Sequence, residues 1–203
     1  MSVTAAAGFR AIGVAAGLKD SGKPDLALVV SDGPDSTGAA VFTSNRVVGA
    51  PVKLSRAHIR DGTARAVVLN SGGANVCTGE RGLADAAATA ERAARVLDLD
   101  PQDVLVASTG LIGEYLPMER LLTGIDDAAP RLSSTEEAAE RAAEAIMTTD
   151  TVSKQARARG EGYTVGGMAK GAGMLAPGMA TMLAVITTAA AVSPAPAQAA
   201  LTE

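Results

Sequence analysis

The stretch Lys170-Gly-Ala-Gly-Met-Leu-Ala-Pro-Gly-Met-Ala-Thr-Met-Leu183 carries the residues with the clearest chemical use. A threonine hydroxyl is a weak nucleophile unless a base sits beside it. One solution needs no histidine. If the chain cuts itself just before Thr181, the freed α-amine, with an ordinary pKa of about 7.7–8.0, can take the hydroxyl proton. The cut follows from attack of the Thr hydroxyl on the preceding carbonyl, which turns the amide into an ester that water opens. That route needs a small residue before the Thr and a backbone that tolerates strain. Ala180, with Pro177-Gly178 just upstream, meets both needs. Spacing alone favours a simpler reading, a glycine-rich turn leading into a core strand.

Few other residues offer chemistry. The chain has one His, His58, and one Cys, Cys77. An internal disulfide is impossible, which fits a reducing compartment without requiring one. A zinc site would rest almost entirely on carboxylates. His58 sits in Ser55-Arg-Ala-His-Ile-Arg60, which reads as a short surface helix where a structural role is expected. Any catalysis here has to work without histidine. The 18 basic and 22 acidic residues, a net charge of −4, exclude a general nucleic-acid binder. The 2% aromatic content, without Trp, excludes base-stacking platforms.

The elements that would position such a site come from patterning. With 203 residues, 47% hydrophobic and 20% charged, the chain can bury a real core. Apolar, glycine-punctuated runs predict strands at 8–17, 25–30, 38–43, 64–69 and 103–108. Leu83, Ala86, Ala87, Ala90, Ala94 and Leu97 recur at helical spacing and predict a helix over 78–97 facing the core with those residues. Pro117 to about Ala129 reads as helix with Pro near its first turn. Ser133-Ser-Thr-Glu136 is a capping-box pattern opening a helix through about Met147. Strand-like composition returns at 163–166 and 179–187. The expected class is α/β (α+β), a layered sandwich of mixed sheets with flanking helices. Residues 193–200, rich in Pro and Ala, are expected to fray. No charge lies between Gly171 and Thr202, but Pro177-Gly178 and the Ala, Thr, Ser and Pro content argue against a tail anchor. The N-terminus lacks the basic and apolar regions of a leader, so a cytoplasmic chain is expected.

Taken in order, the segments form a more specific pattern. Gly8-Phe-Arg-Ala-Ile-Gly-Val-Ala-Ala-Gly17, Pro24-Asp-Leu-Ala-Leu-Val-Val30, Val41-Phe-Thr-Ser-Asn-Arg46 and Asn70-Ser-Gly-Gly-Ala-Asn75 come first. Ala107-Ser-Thr-Gly-Leu-Ile-Gly113, Met147-Thr-Thr-Asp-Thr151, Gly167-Met-Ala-Lys-Gly-Ala-Gly-Met-Leu-Ala-Pro177 and Met179-Ala-Thr-Met-Leu183 follow. From about residue 8 to 188 the chain resembles the ornithine acetyltransferase / glutamate N-acetyltransferase family of arginine biosynthesis.

The resemblance implies a fold of the self-processing N-terminal-threonine type. It implies scission between Ala180 and Thr181, so that residues 1–180 are an α-chain segment and 181–203 the start of a β chain. Thr181 is then the nucleophile, taking acetyl from N-acetylornithine as an ester and passing it to glutamate. The Thr-Gly of the Ser-Thr-Gly-Leu-Ile-Gly motif implies an oxyanion hole at Thr109 and Gly110, where a hydroxyl and a backbone N–H can aim at one oxygen. Thr148, Lys170 and Thr181 are the implied substrate-binding residues, and a lysine suits an α-carboxylate. Each has a structural alternative: Thr109 as a turn cap, Thr148 at a helix end, Lys170 as a solvated strand end.

The family needs no metal and no cofactor for the ornithine reaction, and some members take acetyl-CoA as donor. The implied partner is the β chain, in an α2β2 heterotetramer, with neither nucleic acid nor membrane. Gly73 stands where the family pattern has Asn, and Ala189 where it has Asp. The family's β chain is about as long as its α chain, whereas 22 residues follow Thr181 here. The chain alone is therefore not expected to complete a transfer cycle. The alternatives are a related self-processing amidohydrolase or aminopeptidase, and a non-catalytic remnant.

Overall fold

The structure, a computed structural model, describes residues 2–34, 36–172 and 181–203. Two sheets form its frame. The first has strand order β1-β2-β3-β4, from β1 (Phe9–Val14), β2 (Leu26–Ser31), β3 (Ala66–Gly73) and β4 (Val104–Leu111). β1, β2 and β3 pair antiparallel, and β3 pairs parallel with β4. A parallel pair needs a long crossover, supplied by α2 (Gly79–Leu97). The second sheet has order β5-β6-β7, all antiparallel, from β5 (Lys154–Arg159), β6 (Thr164–Lys170) and β7 (Leu183–Thr188).

Period-two alternation decides what each face of the first sheet covers. Ile12, Val14, Leu26, Leu28, Val30, Ala66, Val68, Val104 and Val106 pack with residues of α2 and α3 (Met118–Ala128). The intervening residues Ala11, Ala27, Val29 and Leu69 join α4 (Glu136–Ala145), Met168 of β6, and Leu183 and Val185 of β7. α1 (Ala50–His58) lies against β4. β2 is therefore buried on both faces, which is why Leu26–Val30 reads as an unbroken apolar run.

α4 buries only alanines, namely Ala138, Ala139, Ala142, Ala143 and Ala145, so its backbone can approach the sheet closely. The closest approach is at Gly13, where an added Cβ would stand 1.9 Å from the Arg141 carbonyl oxygen. Backbone cannot yield as a side chain can. Gly13→Ala is expected to destabilise the fold by about 3 kcal/mol, the upper end for overpacking. A lowered urea midpoint at unchanged m-value checks this.

Four expectations need correction. Residues 38–43 form no strand: Gly38 bonds to the Gly62 carbonyl, the bridge Thr37–Thr63 is isolated, and Val41 is exposed. The helix over 79–97 is present but rotated, burying Gly82, Thr89 and Ala93 with Ala86, Ala90 and Ala94 while Leu83 is exposed. At Gly82 an added Cβ would lie 1.9 Å from Thr78 Oγ1 and 2.5 Å from Asn75 Oδ1, so this buried position admits no side chain. The cap of α4 is Thr135, whose hydroxyl accepts from Ala138 N–H at 3.2 Å, and Ser133 Oγ instead accepts from Thr135 N–H. The tail is not frayed: Pro194–Thr202 is a helix, α5, started by Pro at its N-terminus and joined to the body by Ala40 N–H donating to Gln198 Oε1. Among the described residues, no helix is long and apolar enough to cross a membrane.

Candidate functional site

The site residues meet where the two sheets face each other, and strand alternation brings them there. On β4, Val104 and Val106 face the helices, so Ala107 and Thr109 face the second sheet. On β6, Met168 faces the first sheet, and Lys170, two residues on, shares its side. On the β7 segment, Leu183 and Val185 face inward, and Thr181 continues that parity upstream of the strand. Residues 72 positions apart in the chain thus come into contact: Thr109 Oγ1 and Thr181 Oγ1 are 2.5 Å apart.

Lys170 organises the cluster. It is only 6% exposed, so it is not a solvated strand end. Its ammonium donates to Thr148 Oγ1 at 2.5 Å, to Thr109 Oγ1 at 3.2 Å and to the Thr181 carbonyl oxygen at 3.5 Å. An ammonium has three protons, and here each meets an uncharged oxygen. Because Nζ donates into Thr109 Oγ1, the single Thr109 hydroxyl proton is free to point at Thr181 Oγ1. Burial pushes the Lys170 pKa down, Asp150 opposes that shift, and Lys154 reinforces it.

Gly110 follows Thr109 at the end of β4, with φ +129. An added Cβ would lie 2.5 Å from the carbonyl carbon of Gly72, its register partner in β3. Only glycine fits this left-handed conformation at such close approach. Behind β4, Ser108 Oγ donates to Asn70 Oδ1 at 2.6 Å, and Asn70 Nδ2 donates to the Gly73 carbonyl at 2.9 Å. This buried pair ties the two strand ends together below the site. Gly73 leaves room for Leu116, whose Cδ2 would be 2.7 Å from an added Cβ. Ala189 is exposed at the exit of β7, its N–H bonded to the Thr164 carbonyl. Ala180 lies outside the described residues.

His58 belongs elsewhere. Its Nδ1 is 2.9 Å from the Val104 carbonyl oxygen, at the opposite end of β4 from Thr109. Cys77 is exposed. Among the described residues, no cluster of three or more His, Cys, Asp or Glu could hold a metal ion.

Sequence reasoning missed Asp150, although it stands inside the Met147-Thr-Thr-Asp-Thr151 motif. Its side chain is 1% exposed. Burial pushes its carboxyl pKa up, but hydrogen bonds from Lys154 and from Gly171 and Thr148 N–H outweigh burial and hold it at about 2. The signal was a carboxylate between two threonines in an otherwise polar turn, which spacing alone does not separate from a solvated loop.

The profile of the ArgJ family matches residues 10–203. An arginine biosynthesis bifunctional protein ArgJ from Thermobifida fusca is 58% identical over 194 residues, covering 96% of this chain and 50% of that protein. Its counterpart from Streptomyces coelicolor is 61% identical over 188 residues, covering 93% of this chain and 49% of that protein. The chain thus spans about half the length of the curated relatives it matches. Among solved structures, an ornithine acetyltransferase complexed with ornithine from Mycobacterium tuberculosis superimposes with a TM-score of 0.85 at 50% identity, covering 90% of this chain and 96% of that one. An arginine biosynthesis bifunctional protein from Bacillus halodurans gives 0.78 at 38% identity, covering 90% and 95%.

Proposed function

This chain belongs to the ArgJ family, and from that premise we propose that it is the nucleophile-bearing part of an enzyme that moves acetyl from N-acetylornithine to glutamate. The observation that carries the reading is the contact of the Thr181 and Thr109 hydroxyls beside the buried Lys170 ammonium.

In the proposed sequence Thr181 acts twice. First its Oγ1 attacks the Ala180 carbonyl carbon, the acyl group moves from nitrogen to oxygen, and water opens the ester. Ala180 leaves as a carboxylate and Thr181 gains a free α-amine. That amine then takes the Thr181 hydroxyl proton while Oγ1 attacks the acetyl carbonyl of N-acetylornithine. Negative charge gathers on the carbonyl oxygen, where the Thr109 O–H and the Gly110 N–H donate to it. The C–N bond breaks, ornithine leaves with the proton, and the acetyl group stays on Thr181 as an ester. The glutamate amine attacks that ester and releases N-acetylglutamate, returning the proton to Thr181. Lys170 and Thr148 hold the substrate, Lys170 as the cation for its α-carboxylate. The exchange needs no cofactor, and acetyl-CoA is an alternative donor to the same hydroxyl. The remaining contacts come from a β chain in an α2β2 assembly.

The test is mass spectrometry of the protein after incubation with N-acetylornithine and an acid quench, alone and with a β half supplied in trans. The expected result is an acetyl group on the peptide beginning at Thr181, removed by glutamate. Absence of that ester in both arms would overturn the reading.

A further inference from the structure

Asp150 joins the backbone segments that deliver Thr148 and Lys170 to the site, and not those of Thr109 and Thr181. Its Oδ1 accepts from Gly171 N–H at 2.7 Å and from Lys154 Nζ at 2.5 Å, and its Oδ2 accepts from Thr148 N–H at 3.2 Å. Gly171 directly follows Lys170 at the end of β6, at φ +149. One carboxylate therefore pins the turn that presents Thr148 Oγ1, the strand end that presents Lys170 Nζ, and the first residue of β5.

We propose that Asp150 is the positioning residue of this site: it fixes the Thr148 turn and the Lys170–Gly171 strand end together, so that Lys170 reaches the Thr109 and Thr148 hydroxyls and the Thr181 carbonyl as an ammonium. This deepens the acyl-transfer reading and rests on it for the meaning of the cluster.

Three features support the assignment. Among the described residues, Lys170 has no carboxylate as a hydrogen-bond partner, and the partners it has are neutral oxygens. A buried ammonium without a counter-ion tends to lose its proton. Asp150 is the nearby anion that opposes this, acting through space while its own oxygens are taken by other donors. Two further cations face the same region: Lys154 from β5, paired with Asp150, and Lys19 from the β1–β2 loop. Lys19 donates to the Met147 carbonyl at 2.8 Å, immediately before Thr148, so it steadies the same turn from the other side. Asp150 thus serves Lys154 and Lys170, while Lys19 is balanced chiefly by Asp25, and the geometry at Asp150 leaves no room for an amide. Asn would turn its NH₂ toward either the Thr148 N–H or the Gly171 and Lys154 donors, setting donor against donor.

The experiment follows Lys170 itself. The protein is labelled with 13Cε-lysine, the Lys170 resonance is assigned with Lys170→Arg, and its titration is compared in Asp150→Asn and Lys154→Gln. Asp150→Asn removes the supporting anion, so the Lys170 midpoint is expected to move to lower pH. Lys154→Gln removes a neighbouring cation and leaves Asp150 in place, so the midpoint is expected to move to higher pH. General loosening of the site would shift both the same way. In the transfer assay with the β half supplied in trans, Asp150→Asn should lower kcat/KM about 10²-fold, as displacement of a reacting constellation does, with the alkaline limb of the pH profile moved down. An Asp150→Asn protein with the Lys170 midpoint unmoved would overturn the proposal. So would a Lys154→Gln protein whose midpoint fails to rise, and this arm decides alone if Asp150→Asn does not fold. The titration requires no acetyl transfer, so failure of the acyl-enzyme test would remove the functional reading while the role of Asp150 is still decided.

Discussion

Thr181→Ala is expected to leave neither scission before residue 181 nor acetyl transfer. Both proposed reactions begin from the same oxygen, and among the described residues neither neighbouring hydroxyl can substitute. The hydroxyl in contact with it, Thr109, already accepts from Lys170 and is 1% exposed on β4. Thr148 is held by Lys170, and no hydrogen bond joins it to Thr181 among the described residues. Removing a nucleophile outright lowers turnover by about 10⁴ or more. The fold should survive, because Thr181 is half-buried ahead of β7 and the inward residues Leu183, Val185 and Thr187 keep their packing. Thr181→Ser keeps the oxygen and should retain measurable turnover. Intact mass read alongside ester formation separates the two variants. Transfer at the parent rate by Thr181→Ala would place the nucleophile elsewhere.

Much of this site was legible because strands report their faces in sequence. The alternation that buries Val104 and Val106 toward the helices fixes the side of Thr109, and Met168 fixes that of Lys170. What alternation cannot give is which two faces oppose each other across a gap. The ordered motifs supplied that through resemblance to a family, not through any local rule. Other features were hidden for definite reasons. β5, Lys154-Gln-Ala-Arg-Ala-Arg159, is largely exposed and alternates alanine with polar and charged residues, so it carries no apolar run to betray a strand. Leu83 outranks Gly82 on any hydrophobicity scale, yet Gly82 is buried against the Thr78 and Asn75 side chains while Leu83 is exposed. The cap of α4 fell on Thr135 because the polar run 133–135 offers three hydroxyls, and only the chain's path chose among them. Asp150 was legible as a residue but not as a hub, since its partners come from β5, β6 and its own turn.

Thr109→Val tests the centre of the arrangement, and kcat is expected to fall by about 10²–10³, the loss typical of one oxyanion donor. Valine matches threonine in shape, so the packing of β4 against the second sheet is retained while one hydroxyl disappears. Two consequences follow from that single atom. The developing negative charge keeps the Gly110 N–H but loses the Thr109 O–H, which slows any reaction that passes through a tetrahedral oxyanion at Thr181. Scission and transfer should therefore slow together, since both form one. The second consequence concerns Lys170, whose Nζ would be left with Thr148 Oγ1 and the Thr181 carbonyl as acceptors. Burial already disfavours its charged form. Loss of a neutral acceptor disfavours it further. The protonated form is the active one in this scheme, so activity should be lost at a lower pH on the alkaline side than in the parent protein. Thr109→Ser restores the oxygen and should recover both the rate and the pH profile. The diagnostic is the split between parameters: an oxyanion donor acts in the transition state, so kcat falls while KM changes little. A rise in KM at constant kcat would instead make Thr109 a substrate-binding group, and unaltered scission would take it out of the oxyanion hole.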